Sequence, residues 1–158
     1  MKKNISPVFV PFLEQLSKGG GDMVAYKKHY SWSIPTNNDY VAIKKIDKSF
    51  LMHNSTGVPR TIRNFFEKDF DSIRDKQLIT INYNSANFNS YYRITDQDGT
   101  ERARIEWNND LRQALLKDLI SQNIDLQQID NVNIKSLWVR IKPSHYALIL
   151  LSRNNIPL

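Results

Sequence analysis

Two short stretches of this chain carry side chains suited to chemistry. The first is Lys44-Lys45-Ile46-Asp47-Lys48, followed by His53-Asn54-Ser55-Thr56-Gly57. Lysine ammonium groups neutralise phosphates, and short hydrogen-bonding side chains reach base edges or a sugar-phosphate backbone. The same residues also suit a solvated strand and an ordinary helix entry. The second stretch is Asn87–Arg104, where Arg93 precedes the turn Asp96–Gly99 and Arg102 and Arg104 follow it. The two-residue period of a strand puts Arg102 and Arg104 on one face and leaves Ile105 and Trp107 for the other. A two-stranded ribbon fits the DNA major groove, where arginine pairs bidentately with guanine and a carboxylate accepts from cytosine. Asp96 and Asp98 suit that last role, or brace the arginines. A polar outer sheet face with internal ion pairs is the plainer alternative.

Tyr26, Tyr30, Trp32, Tyr91 and Tyr92 can stack on unpaired bases. That keeps a basic single-strand binder as a rival, although half-buried strand positions explain these rings more simply.

Catalytic patterns are scarce. No Asp or Glu stands two residues before a Lys, so the usual metal-dependent nuclease pair is missing. His29, His53 and His145 lack metal-ligand spacing, and there is no cysteine and no Gly-rich phosphate loop. Asp69, Asp71 and Asp75 loosely suggest a calcium-type loop, but Gly and the terminal Glu are absent, and a solvated helix end is the simpler reading. The expectation is no catalytic residue, no metal and no cofactor. A small metal-dependent nuclease with an unrecognised site is the main rival.

The 158 residues suit one domain, with residues 1–39 as an N-terminal extension and 40–151 as its core. No apolar run approaches a membrane span of roughly 20 residues. A cytoplasmic protein with no membrane partner is the expectation. The net charge is +6, which favours an anionic partner. Residues 1–68 hold 11 Lys/Arg against 5 Asp/Glu, whereas residues 69–158 are balanced, so the whole excess lies in the first part.

Hydropathy patterns supply the frame for these stretches. Met23–Trp32 and Tyr40–Ile46 read as strands, and Phe50–Met52 as a re-entry to a sheet after the loop Asp47–Ser49. Pro59 opens a helix with Ile62, Phe65 and Phe66 on its apolar face, ending near Phe70. Leu78–Asn84, Phe88–Thr95 and Glu101–Trp107 form a meander, with Asp98-Gly99 a strong hairpin signal. Asn108 or Asn109 caps a second helix with the stripe Leu111, Leu115, Leu116 and Leu119. Leu137–Ile141 and Tyr146–Leu151 close the order. Mixed short strands with two helices predict an α+β or barrel-like fold.

With the elements in that order, Ile43–Phe66 resembles the first DNA-reading arm of the DNA-binding pseudobarrel family. That family includes plant B-three-type domains and the effector-binding domain of EcoRII-type restriction endonucleases. It shows a polar arm, a strand ending in an aliphatic-Pro pair (here Val58-Pro59), and then a helix. Ile81–Trp107 is similar to the family's second arm. The resemblance implies an α+β, mainly β, open pseudobarrel of about seven strands with two short helices. It implies a grip on double-stranded DNA from the major groove, with a short sequence read. The implied contacts are Lys48, Ser49, His53, Asn54, Ser55 and Thr56 in one arm. The other arm supplies Arg93, Asp96, Gln97, Asp98, Thr100, Arg102 and Arg104. Lys44 adds a phosphate contact from residue chemistry. The first arm is short, and the second more acidic than is typical for the EcoRII type. Such domains often belong to restriction enzymes, with nuclease chemistry in another domain of the polypeptide or another chain.

Overall fold

A computed structural model describes residues 26–29, 31–35, 38–71 and 75–151, with backbone only at 26–29 and at Gln97. Nine strands form within it: β1 (Tyr26–His29), β2 (Trp32–Pro35), β3 (Val41–Lys45), β4 (Ser55–Val58), β5 (Lys76–Tyr83), β6 (Ala86–Gln97), β7 (Thr100–Glu106), β8 (Lys135–Lys142) and β9 (His145–Leu151). They make one sheet in the order β1-β2-β3-β8-β9-β5-β6-β7-β4. The β5–β9 pair is parallel and the others are antiparallel.

Although β4 follows β3 in sequence, it lies at the far edge of the sheet. Yet the Trp32 indole N–H on β2 donates to the Gly57 carbonyl on β4 at 2.9 Å. Both statements hold only if the sheet curls until its β4 edge returns towards β2. The result is a half-barrel with a seam, and the helix α1 (Lys48–Met52) carries the chain across it.

The helix α2 (Arg60–Glu67) fills the inside of the curl. Its apolar residues Ile62, Phe65 and Phe66 recur at three- and four-residue spacing, and all three are buried. Phe66 meets Trp32, Trp138, Tyr92 and Tyr146 with ring centroids 5.1–5.9 Å apart. The strands contribute alternate residues to this core, among them Ile79, Ile81, Tyr83 and Ile105, each fully buried. A smaller apolar cluster of Val41, Ile43, Leu137, Val139 and Leu151 occupies the opposite face of β3, β8 and β9. Those strands therefore read as continuous apolar runs rather than alternating ones. The helix α3 (Asn109–Ser121) buries Leu111, Leu115 and Leu119, and the Asn108 side chain caps it through Leu111 N at 3.0 Å.

The fold is mainly β with a few short helices, as the sequence implies, but it has more elements. Nine strands and three α-helices are present among the described residues, against about seven and two expected. Three local effects explain the difference. The Asp47 carboxylate accepts from Phe50 N at 2.8 Å and so caps α1, replacing the expected loop and strand re-entry at 47–52. Residues 53–57 are polar and turn-prone by composition, but Ser55–Val58 pairs with β7 as a strand ending at Val58-Pro59, as the resemblance implies. Trp32–Pro35 folds back on Tyr26–His29, breaking one expected strand into a hairpin. A 3-10 helix at Leu126–Asn131 also goes unannounced in the sequence pattern. Within these described residues no helix is long and apolar enough to cross a membrane.

Phe66→Ala should destabilise the fold by about 3–5 kcal/mol, the usual cost of emptying an aromatic site in a packed core. Gly99, at φ +77° in the β6–β7 turn, has open space around it. Gly99→Ala should therefore cost only about 1–2 kcal/mol, through backbone strain alone. Urea unfolding of both variants checks the ranking, and a Phe66→Ala loss no larger than that of Gly99→Ala would contradict it.

Candidate nucleic-acid interface

Strands β4 and β7 pair antiparallel, with Ser55 opposite Glu106, Gly57 opposite Arg104 and Val58 opposite Ala103. This pairing places side by side two stretches that lie roughly fifty residues apart in sequence. Beside them, along the seam, runs a groove of about 680 Å³. Its walls come from Ser31 and Trp32, from Ser49 and Phe50 of α1, from β4, from the start of α2, and from Thr100–Arg104 of β7.

Five cations line the groove against two carboxylates, Asp47 and Glu101. They are committed to very different degrees. Lys44 is 4% exposed, and its ammonium donates to Ser31 Oγ at 2.6 Å and to the Lys45 carbonyl at 2.9 Å. Asp47 lies 3.6 Å away. Burial pushes the Lys44 pKa below its ordinary value, with Asp47 opposing. Arg63 is held by Glu67 at 2.5 Å and by Glu101 at 2.7 Å. Its pKa is raised, chiefly by the Glu67 hydrogen bond. Glu67 also accepts from the Tyr92 hydroxyl, whose pKa burial drives up. Arg63 therefore ties α2 to β6 and β7. Arg104 is exposed and donates to Ser55 Oγ at 2.8 Å. Arg60 and Arg102 are exposed, and their guanidinium groups make no hydrogen bond or ion pair among the described residues.

The second expected arm is a physical projection. β6 has 12 residues and β5 has 8. The last contact on the β5 side is Ile94 N to the Asp75 carbonyl at 3.0 Å, and β4 stops opposite Ala103. Residues 95–102 thus form a two-stranded ribbon whose backbone pairs only with itself, reaching about 13 Å beyond the flanking strands at roughly 3.3 Å per residue, with Glu101 tied to Arg63 of α2. Asp98 and Gly99, at φ 53° and 77°, close it in the doubly left-handed turn that matches strand twist. Its tip is acidic, with Asp96, Asp98 and Glu101 exposed beside Arg102.

The expected contact residues fall into three groups. Lys44, Ser49, Ser55, Thr56, Thr100, Arg102 and Arg104 line the groove, although Ser55 and Thr56 are buried at 5% and 6% exposure. Asp96 and Asp98 stand exposed on the ribbon with Gln97 between them. Lys48, His53, Asn54 and Arg93 lie outside the groove lining. Lys48 and His53 are exposed at the two ends of α1. Asn54, at φ 51°, accepts from Trp107 N at 2.8 Å through its carbonyl. Arg93 is opposite Arg104 on the outer face and pairs with Glu106.

Sequence reasoning missed Arg60 and Arg63, which stood out only as helix residues after Pro59. It also missed the seam role of Trp32. Of the aromatics weighed for stacking, Trp32 and Tyr92 are buried. Tyr91 is 37% exposed with Lys76 Nζ 3.8 Å from its ring centroid. Tyr30 and the Tyr26 side chain lie outside the described residues. Asp69 is no solvated helix end: its carboxylate lies 3.1 Å from Arg140 Nε, and Arg140 is 8% exposed. Among the described residues no group of three or more His, Asp or Glu is placed to hold a metal ion.

No family model matches the sequence, and no curated protein matches it. A solved structure similar to this chain is the N-terminal domain of Helicobacter pylori LlaJI.R1, at 18% identity and a TM-score of 0.48. The likeness covers 71% of this chain and 80% of that one.

The buried Lys44 has a pH signature. Its folded pKa lies below the ordinary 10.5, so below the folded value both states are protonated and the burial penalty is fully present. As pH rises from the folded value to 10.5, the unfolded chain holds more protons, and stability rises with pH. In Lys44→Met this rise should vanish. Urea unfolding of both proteins across the alkaline range checks it; a stability difference that does not change with pH would contradict the assignment.

Proposed function

We propose that this chain binds double-stranded DNA, seating the phosphate backbone along the β4–β7 groove while the residue 95–102 ribbon enters the major groove. The observation that carries the reading is the placement of Arg60, Arg102 and Arg104. All three are exposed around one groove at the root of a projecting two-stranded ribbon. Exposed guanidinium groups neutralise phosphates or fork onto guanine. The ribbon has the width that a major groove admits.

Its acidic tip fits this pose. Carboxylates are repelled by phosphates, so Asp96 and Asp98 favour the groove floor, where cytosine amino groups donate to carboxylates. Arg102 and Arg104 follow on the same strand, at the height of base edges or the groove wall. The chain would then read a short sequence. Its resemblance to recognition domains of restriction enzymes makes such an enzyme, with cleavage carried by a separate nuclease domain, the setting we infer.

Binding should be salt-dependent. Each neutralised phosphate contributes a slope of about −0.9 in log affinity against log salt, so three exposed arginines give about −3. A flat response in a duplex titration would sink the proposal. The same titrations with magnesium present, followed by electrophoresis of the duplex, test the nuclease rival. Defined cleavage by the purified chain would favour it.

Specificity should separate the residues. On a duplex selected by the protein, Arg102→Ala or Arg104→Ala should cost about 1–3 kcal/mol and relax discrimination, while Arg60→Ala weakens all duplexes about equally. The double variant Asp96→Asn with Asp98→Asn should bind random duplex more tightly and discriminate less, because it removes repulsion along with the readout. If all of these changes act uniformly on every sequence, the ribbon clamps DNA without reading it.

A further inference from the structure

The ribbon 95–102 leaves the sheet with its backbone paired only to itself. Among its described side chains, Glu101 alone makes an ion pair or hydrogen bond to the rest of the molecule, with Arg63 of α2 at 2.7 Å. Arg63 is itself fixed. It donates to Glu67 of the same helix from Nε at 2.5 Å and from Nη2 at 3.0 Å, and Glu67 also accepts from the Tyr92 hydroxyl on β6. The Arg63 side chain is 14% exposed and that of Glu101 is 56% exposed. A nearly enclosed cation of the body thus holds a carboxylate of the ribbon at the groove surface. Glu101 lies in the same strand row as Ala103 and Ile105, which face the core. Its cross-strand neighbour is Asp96. Like charges directly opposite each other destabilise a strand pair. The pairing of the ribbon therefore gives no reason for a carboxylate at 101, whereas the contact with Arg63 does.

We propose that Glu101 is a positioning residue for sequence reading: through Arg63 it latches the ribbon to α2 and so sets where Arg102 and Arg104 meet the base edges. This rests on the DNA-binding reading above. A two-stranded ribbon on its own is marginally stable in water. Holding it in one orientation before association lowers the ordering cost of binding. Arg102 and Arg104 gain most, because forked contacts with guanine tolerate little misplacement. The latch has a second effect. While Glu101 sits on Arg63, the least exposed arginine of the groove is withheld from phosphates, whose contacts are the same for every sequence. One ion pair thus favours the sequence that is read and weakens the grip on all others.

Glu101→Thr removes the carboxylate, leaves a side chain too short to reach Arg63 and keeps the strand preference. Two comparisons of the full chain with this variant test the proposal. In the free proteins, NMR order parameters of the amides 95–102 should fall in the variant while those of β5 stay unchanged. In fluorescence titrations, affinity for a duplex selected by the wild-type protein should fall about threefold, the scale of one half-exposed ion pair. Affinity for a random-sequence duplex of the same length should rise, with a salt slope steeper by about 0.9 as Arg63 takes a phosphate. The opposite signs are the signature. Loss of a charge alone raises both affinities, and a general loosening lowers both. Either of those results, or unchanged order parameters, would overturn the latch and leave DNA binding standing. Wild-type protein that binds neither duplex would instead refute the DNA-binding reading, and this inference with it.

Discussion

Phe66 is the residue around which the sheet is wrapped. Its ring sits in edge-on and tilted contact with Trp32, Trp138, Tyr92 and Tyr146, which come from β2, β8, β6 and β9. These strands are spread across the sheet order. A flat sheet cannot bring all four to one ring, so the aromatic cluster and the curl are the same constraint seen from two sides. Quadrupolar edge-to-face geometry adds directionality to what is otherwise apolar burial. Helix α2 is short and carries its apolar residues on one stripe, so it delivers Phe66 to the centre without filling the space the strands need.

The curl creates the seam, and the seam creates the groove. Trp32 serves both, with its ring in the aromatic cluster and its indole N–H on the Gly57 carbonyl. That contact engages an edge strand, β4, whose outward backbone groups otherwise invite pairing with other chains. The groove thus lies where the half-barrel fails to close, and its polar lining consists of residues that closure would have buried.

Charge in this protein divides into structural and available parts. Arg140 is buried with Asp69 and stacked at 4.5 Å from the Phe65 ring, and Arg63 bridges Glu67 and Glu101. Lys44 is enclosed by three oxygens. Burying such groups unpaired costs several kcal/mol, so each must be matched where it stands. Arg60 and Arg102 carry no such obligation. Net charge counts all of these alike, which is why the excess in residues 1–68 points to an anionic partner but not to the residues that would meet it.

Much of the fold was legible because local patterns are strong where one face is buried. The alternation of Ile79, Ile81 and Tyr83, the stripe Ile62–Phe65–Phe66, the Asn108 cap and the Asp98-Gly99 turn all depend on neighbours within a few residues. So did the common face of Arg102 and Arg104, since strand periodicity fixes it. What sequence could not supply depended on partners far along the chain. Ser55–Val58 takes its place at the far edge of the sheet because β7 is beside it. Lys44 is internal only because Ser31 and Asp47 meet it beneath the groove. Arg60 faces the groove because α2 starts beside the seam between β2 and β4. Residue types and their periods, local by nature, set the elements and the chemistry on offer. Tertiary structure alone decided which cations stay in water and which are enclosed, because desolvation depends on everything packed around a charge and not on its neighbours in sequence.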